Sequence, residues 1–521
     1  MSETVHGNQV ARNLVQDLEV RASESPNRVA LIFEDGRTWT FAQLNVASSL
    51  VARELSKAAS RGSRIGIHVI NGPDLVLGLT GCWKAGLVPV PMSGMYTPAE
   101  VAACTAKTSP TVLIAESAKI SAASISMPLL SPDILRNAGE LARKGEKYTQ
   151  LAPIPATDDE ALILFTGGST GAPKAVAITH TGTYASMSIL AGGQKGGPRP
   201  ASGLYPPVAE AVSPNLVLLP LFHGGGIQSL LFAWHVGRSV LLVERFSVDR
   251  IARLVPQYKV DNLFVLPTMV YDLTTATDKP DLTSVRKVLV AGQRLDAGLK
   301  ARFEQRFGVV VMSNYGSAEL GHVAGWNARD VRDGRWKPGS VGRVYDGVVL
   351  EIRGDNDVVQ GVGNPGEIWI KSNRTKGYVD SGGDAAALVQ DGWVRSGDVG
   401  YVDEDRVLFL VGRTRELIKT GGFQVWPAEL EAVMRAHPGV SDVAVVGVPD
   451  ERLGEVPRAF IVRSSEPASE QELVAWCRDK VAHFKAIRGV TFIDQLPRSE
   501  AGKVQRAKLV PNMSITEADE D

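Results

Sequence analysis

The chain has 521 residues, 44% hydrophobic and 22% charged, with 56 basic residues against 57 acidic ones and a net charge of −1. That length exceeds what one hydrophobic core organises, so two or more domains are expected. The ordinary composition argues against long disorder, and the balanced charge leaves no basic footprint for nucleic acid. Cys82, Cys104 and Cys477 lie far apart with no CxxC pair, which speaks against a zinc site or a disulfide framework and for buried small hydrophobes. The N-terminal stretch MSETVHGNQVARNLVQDLEV lacks the apolar core of a signal peptide, and no uncharged run reaches membrane-spanning length. A cytoplasmic protein is therefore expected.

In chain order, residues 8–58 read as two amphipathic helices around a hairpin, VALIFEDGRTWTF, turned at Asp35-Gly36. SRIGIHVI, DLVLGLTGCWKAG, LVPVPM, TPAEVAACTAKT and TVLIAE then alternate strand with helix, the pattern of a parallel sheet covered by helices. This α/β alternation resumes at ALILFTGG and continues through NLVLLPLFH, SVLLVERF, NLFVLPTMV, RKVLVAG and VVVMSNYG. Between Ala191 and Pro214, glycines and prolines predict a surface loop. From Gly339 to Leu410, short strands and frequent turns predict an antiparallel β subdomain. The last hundred or so residues mix strands and amphipathic helices in a small α+β unit, with a disordered acidic tail over 513–521.

In open α/β sheets, ligands gather outside the carboxyl ends of the strands, so the polar ends of these runs are candidate site residues. ILFTGGSTGAPKAVAITH is not a Walker A loop, because Ala172-Pro173 separates Gly171 from Lys174. Its glycines and three hydroxyls still suit a triphosphate. SNYGSAE, the run DGWVRSGDVGYVDEDRVLFLVGRTRELIKTGGFQVWPAELE and RSEAGKVQR follow in order. With GCWKAGLVPVPM near the start, the set resembles the adenylate-forming superfamily of acyl-CoA synthetases, nonribosomal-peptide adenylation domains and luciferases, over nearly the whole chain and closest in type to the acyl-CoA ligases.

The resemblance implies a large N-terminal domain, 1–412, that binds ATP and a carboxylic acid. It implies a small mobile C-terminal domain, 413–521, that rotates between formation of acyl-AMP and displacement of AMP by a thiol. Thr166, Gly167, Gly168, Ser169, Thr170, Gly171 and Lys174 would surround the ATP phosphates. Gly292, Gln293, Arg294, Asn314, Tyr315, Gly316, Ser317 and Ala318 would line the nucleotide side, with Tyr315 against the adenine and Gly316 near the activated carboxyl. Glu319 would hold Mg²⁺, a cation that takes few protein oxygens and completes its shell with phosphate and water. Asp398 and Arg413 match the ribose-binding pair, Arg415 the hinge, and Lys503 the catalytic lysine of adenylation. Lys419, Gly421 and Gly422 belong to the motif that a pantetheine arm approaches when coenzyme A reacts. His223 takes the aromatic position beside the acyl pocket. Gly224, Gly225 and Gly226, with Ala291 and Gly292, would remove side-chain volume from the pocket wall and favour a bulky apolar acid.

Three positions depart from the pattern. Ala318 stands where threonine is common, Ala175 where a PKG glycine is common, and Arg294 where a proline stiffens the adenine loop. If residue 175 required positive φ, alanine would cost about 1 kcal/mol and displace Lys174. The leading expectation is an acyl-CoA ligase for a hydrophobic acid. The alternatives are a member that performs mainly the thiol step on acyl-AMP supplied by another enzyme, one that loads a carrier protein, and a silent acyl-adenylate-binding protein.

Overall fold

The computed structural model describes residues 13–120, 126–145, 160–166, 174–195, 212–292, 295, 297–379, 388–420, 423–450, 452–466, 468–481, 483, 485–498 and 502–509. The fold divides into two compact units. The first comprises the described residues up to Thr166, together with Lys174–Val349 and Ile370–Val394; the second comprises Leu350–Trp369 and the described residues from Arg395 onward.

In the first unit, the helix Gln16–Glu24 precedes an antiparallel pair, Val29–Phe33 and Thr38–Thr40, turned at Asp35-Gly36. The helix Phe41–Ala58 starts on a capping box in which the Thr40 side chain accepts from the Gln43 amide and Gln43 answers it. The predicted alternation then appears as a parallel sheet in the order Val88–Ser93, Arg64–Val69, Val112–Ala115, Leu129–Leu130. Its helices Pro73–Ala85 and Pro98–Thr108 each begin with proline in the first turn, where no amide donor is lost.

The larger sheet of this unit runs parallel from Val29–Phe33 through Val240–Leu242, Asn215–Val217, Asn262–Val265 and Lys287–Val290 to Val310–Ser317. It then turns antiparallel through Gly321–Gly325 and Ser340–Val344. Val290 pairs with Ser313, so Asn314–Ser317 project beyond the carboxyl end of the neighbouring parallel strand, where Ala291 and Gly292 emerge. Leu31, Trp83, Leu162 and Trp234 centre one core cluster, and Leu216, Val265, Leu254 and Phe303 another.

Two expectations need correction. ALILFTGG does not resume the parallel sheet: Glu160–Thr166 pairs antiparallel with Lys174–Thr179, and Thr375–Tyr378 adds antiparallel to the other side of Lys174–Thr179. Seven residues separate the first two strands, too few for the crossover a parallel pair needs. The loop expected from Ala191 does not begin there, because the helix His180–Lys195 continues through that position; residues 196–211 lie outside the described residues.

Trp393–Val402, which belongs to the second unit from Arg395 onward, and Val407–Arg413 form an antiparallel pair next to Gly366–Lys371. A further sheet has the order Phe423–Val425, Ile418–Thr420, Gly454–Arg463, Val440–Asp450, with Gly489–Phe492 parallel to Gly454–Arg463. The helices Pro427–Arg435 and Glu470–Lys480 complete its core around Leu430, Val445, Ile461 and Leu473. The acidic tail lies outside the described residues. The three cysteines are buried and unbridged. No described helix is long and apolar enough to cross a membrane.

Candidate active site

Ala291, Gly292 and Asn314–Ser317, among the expected nucleotide and acyl residues, lie at the carboxyl ends of parallel strands of the first unit. Asn314 is buried; its side-chain amide meets His322 Nδ1 at 3.0 Å, and its carbonyl accepts from the Tyr345 hydroxyl at 2.9 Å. Burial, with a smaller contribution from the Arg374 cation, pushes the His322 pKa down to about 3. The imidazole is therefore neutral and accepts the Asn314 bond. Tyr315 is 8% exposed and pairs with Ala324. At Gly316 the register shifts, and a Cβ would collide with the Gly321 carbonyl oxygen, so close backbone approach independently requires glycine there. Ser317 is exposed and its hydroxyl accepts from the Leu320 amide at 3.2 Å.

Ala318 and Glu319 follow in the turn. Ala318 packs on the main core, and its carbonyl accepts from Arg374 Nε at 2.7 Å. Glu319 is half-buried, and its carboxylate makes no ion pair or hydrogen bond with any described residue. No group of three or more acidic, histidine or cysteine side chains that could hold a metal occurs among the described residues. A single uncommitted carboxylate fits a magnesium ion whose remaining ligands are nucleotide oxygens and water, as opposed to a closed protein cage.

His223 does not end a strand. The strand Asn215–Val217 stops earlier, and His223 is the N-cap residue of the helix Gly224–His235, tilted against Phe222 with ring centroids 4.7 Å apart. The three following glycines serve different purposes. A Cβ on Gly226 would strike the Pro220 carbonyl oxygen, so packing requires glycine there, whereas one on Gly225 would lie 2.7 Å from Leu219 Cδ1, a side-chain end that would have to shift. Only Gly224 faces the turn, where a Cβ would stand 3.4 Å from Ala318 Cβ. Ala291 is buried, and Gly292 has φ +86°, the left-handed region that favours glycine.

Gly167, Gly168, Ser169, Thr170, Gly171, Gln293, Arg294, Gly421 and Gly422 lie outside the described residues. Thr166 and Lys174 close the flanking antiparallel pair, and Lys174 Nζ lies 4.6 Å from the Tyr378 ring centroid. Ala175 is extended in the strand Lys174–Thr179, paired with Phe165 and 2% exposed, with its carbonyl accepting from Val379. Positive φ is not needed there, so this departure carries no backbone strain.

In the second unit, Asp398 and Arg413 are register partners, with Arg413 Nε donating to Asp398 Oδ1 at 2.8 Å. The two motifs, fifteen residues apart, thus converge as one ion pair, with Asp398 13% exposed and Arg413 53%. The preceding Gly412 admits Trp426, since a Cβ would come within 2.5 Å of the indole. Arg415 lies in the short 3₁₀ turn Thr414–Glu416, and Lys419 in the strand Ile418–Thr420 opposite Gln424. Lys503 is exposed in a loop that returns on itself: Gln505 donates to the Pro497 carbonyl, Arg498 bridges Val504, and the Arg498 guanidinium donates to the Gly502 carbonyl at 2.7 Å.

Arg374, Tyr378 and Trp426 escaped the sequence reading. Arg374 sits in SNRTKGY, which reads as a polar turn, directly before the short strand Thr375–Tyr378.

Residues 18–379 match the AMP-binding enzyme family, and residues 429–503 match the AMP-binding enzyme C-terminal domain. The chain is 31% identical over 515 residues to 4-coumarate–CoA ligase of Pinus taeda, covering 94% of this chain and 93% of that protein. It is 30% identical over 494 residues to 2-succinylbenzoate–CoA ligase of Bacillus pumilus, covering 94% and 96%. The solved o-succinylbenzoate CoA synthetase of Bacillus subtilis in complex with its acyl-adenylate intermediate superposes with a TM-score of 0.79 at 27% identity, covering 95% of this chain and 97% of that one. ATP-bound MatB of Rhodopseudomonas palustris superposes with a TM-score of 0.84 at 25% identity, covering 96% and 99%. With both family domains in order and end-to-end similarity to acid–CoA ligases, the chain belongs to the AMP-binding enzymes of the adenylate-forming superfamily, close to the acyl-CoA ligases.

Proposed function

We propose that the protein is an acid–thiol ligase that converts a bulky, apolar and aromatic carboxylic acid to its coenzyme A thioester through an acyl-adenylate, using ATP and Mg²⁺. The observation that carries this reading is the contact between the Gly224 helix start and the Ala318–Glu319 turn. On this reading the helix start walls the acyl pocket beside the carboxylate that would hold the metal. Relatives named for 4-coumarate and 2-succinylbenzoate support an aromatic acid. His223 stands where amino-acid-activating members of the family usually carry an aspartate to meet the substrate ammonium, which favours an acid without an α-amino group.

In the first half-reaction the substrate carboxylate attacks the α-phosphorus and pyrophosphate leaves. Lys503 neutralises the charge developing between the two oxygens, a contribution worth roughly 10²–10³ in rate for a well-placed donor. Asp398 accepts from the ribose hydroxyls and is oriented by Arg413. Magnesium, when bound, offsets phosphate charge; Glu319 is the residue that would hold it. The domain boundary near 413 with its hinge at Arg415 is part of this proposal. It lets the Lys419–Val425 hairpin take over from Lys503 when the coenzyme A thiolate attacks the acyl carbonyl and AMP departs.

A reading in which the protein mainly performs the thiol step rests on Ala318, whose methyl packs on the core where a hydroxyl would serve the phosphates. One assay separates the two. Purified protein is given a panel of cinnamate-like, benzoate-like and fatty acids, each as free acid with MgATP and as preformed acyl-AMP, with coenzyme A or a phosphopantetheinyl carrier protein as acceptor. Acyl-CoA from both forms of an aromatic acid is expected. Product from preformed acyl-AMP alone would favour the thiol-step reading, transfer only to the carrier would replace coenzyme A as acceptor, and no product from either form would sink the ligase.

A further inference from the structure

Arg374 is among the largest fully buried side chains, 1% exposed, and the reaction as derived above gives it no task. Taking a cation out of water costs several kcal/mol even after relaxation, so its surroundings should show what it is held for. They hold little that is anionic. Nε donates to the Ala318 carbonyl at 2.7 Å; among the described residues Nη1 is buried with no hydrogen-bond partner, and the one carboxylate acting on the guanidinium electrostatically is that of Glu319, which forms no ion pair with it. Burial lowers the Arg374 pKa to about 10, which leaves it a cation at neutral pH.

Two glycines let neighbouring elements close around this residue, Gly182 against its backbone and Gly321 against Ser186 and, less tightly, its side chain. A Cβ on Gly182, in the helix His180–Lys195, would collide with Arg374 Cα. A Cβ on Gly321, whose φ is +75°, would fall 3.1 Å from Arg374 Cδ. The backbone is fixed at the same point: Thr179 donates to the Arg374 carbonyl at 2.9 Å, and the Arg374 amide donates to Ser372 Oγ at 3.1 Å. Side chain and main chain together tie the strand Thr375–Tyr378 to the peptide between Ala318 and Glu319.

We propose that Arg374 is a positioning residue for acid activation: by clamping the Ala318 carbonyl it fixes the Glu319 peptide, so that the unpaired Glu319 carboxylate is presented to magnesium-bound nucleotide. Residue 318 has no hydroxyl with which to hold the turn from its side chain, and the guanidinium holds it from the main chain. This inference rests on the assignment of Glu319 as magnesium ligand in the ligase reading.

The test uses the full chain with Arg374→Met, which keeps length and removes charge and donors, and Arg374→Lys, which keeps the charge but not the planar fork. Four quantities are measured: the melting curve, equilibrium binding of ATP with and without Mg²⁺, acyl-AMP formation, and thioester formation from supplied acyl-AMP. Arg374→Met is expected to weaken MgATP binding at least tenfold, to leave magnesium-free ATP binding within twofold, and to slow acyl-AMP formation at least tenfold while sparing the thiol step. Arg374→Lys should fall between, threefold to tenfold below the parent in MgATP affinity. Equal loss of ATP and MgATP binding, or parallel loss of both half-reactions, would reduce Arg374 to a packing residue. If Arg374→Met does not fold, Arg374→Lys decides alone, and parental MgATP affinity in it overturns the clamp. If the parent protein makes neither product from any acid, the ligase reading fails, while the MgATP comparison still judges the positioning role.

Discussion

Acidification should loosen the first unit through His322 in particular. Its imidazole is buried, accepts from the Asn314 amide at 3.0 Å, and lies near the Arg374 cation, which together with burial holds its pKa at about 3 against an unfolded value of 6.5. Between those two values the unfolded chain binds the proton and the folded one does not, so stability is complete above pH 6.5 and falls as the pH is lowered toward 3. The slope for one such group is about 1.4 kcal/mol per pH unit, which amounts to about 2 kcal/mol at pH 5. Asparagine at this position keeps an acceptor for Asn314 but does not titrate. Urea unfolding of the parent and His322→Asn, followed by tryptophan fluorescence at pH 7.5, 6.5, 5.5 and 5, isolates this contribution, because the other titrating groups are common to both proteins. The variant, less stable or equal at pH 7.5, should gain on the parent by about 2 kcal/mol on reaching pH 5. Parallel stability curves, or a parent that gains on the variant in acid, would refute the assignment of a neutral buried histidine.

Lys503→Ala is expected to slow acyl-AMP formation roughly 10²–10³-fold while leaving thioester formation from supplied acyl-AMP intact, as measured by pyrophosphate release and by thioester yield; equal loss of both would contradict the division of labour. Asp398→Asn keeps the size of the side chain but removes the charge facing Arg413 and an acceptor for the ribose, so AMP and ATP affinity, read by calorimetric titration, should fall about tenfold or more, a loss of at least ~1.4 kcal/mol. Unchanged nucleotide affinity would remove Asp398 from the site. Ala175→Gly should not improve catalysis, because residue 175 is extended and buried in a strand. It should cost about 0.5–1 kcal/mol of stability in thermal melts, and a faster adenylation rate would show that the loop wanted glycine after all.

Much of this protein is legible in its amino-acid sequence. The alternation of apolar runs from SRIGIHVI onward specified parallel strands and covering helices, because period and length are local properties of the chain. The order of the glycine, YG, GD, GR and GK motifs specified the family, because the chemistry of nucleotide binding restricts residue type and spacing. Pairing partners are not local. The strand Glu160–Thr166 reads like its parallel neighbours but closes on Lys174–Thr179 as an antiparallel pair, a choice made by the short connection and by Thr375–Tyr378 arriving from two hundred residues away. The glycines after His223 look alike in the sequence. Tertiary contacts assign two of them to packing against Leu219 and Pro220 and leave one facing Ala318. Ala175, suspicious by its motif, is benign once its φ is known, whereas Arg374, unremarkable in a polar turn, becomes a buried cation on the Ala318 carbonyl. The sequence determined the elements and the chemical vocabulary of the site. The tertiary structure decided which groups are buried, which backbones touch, and therefore which charges have partners, since burial and contact depend on residues far apart along the chain.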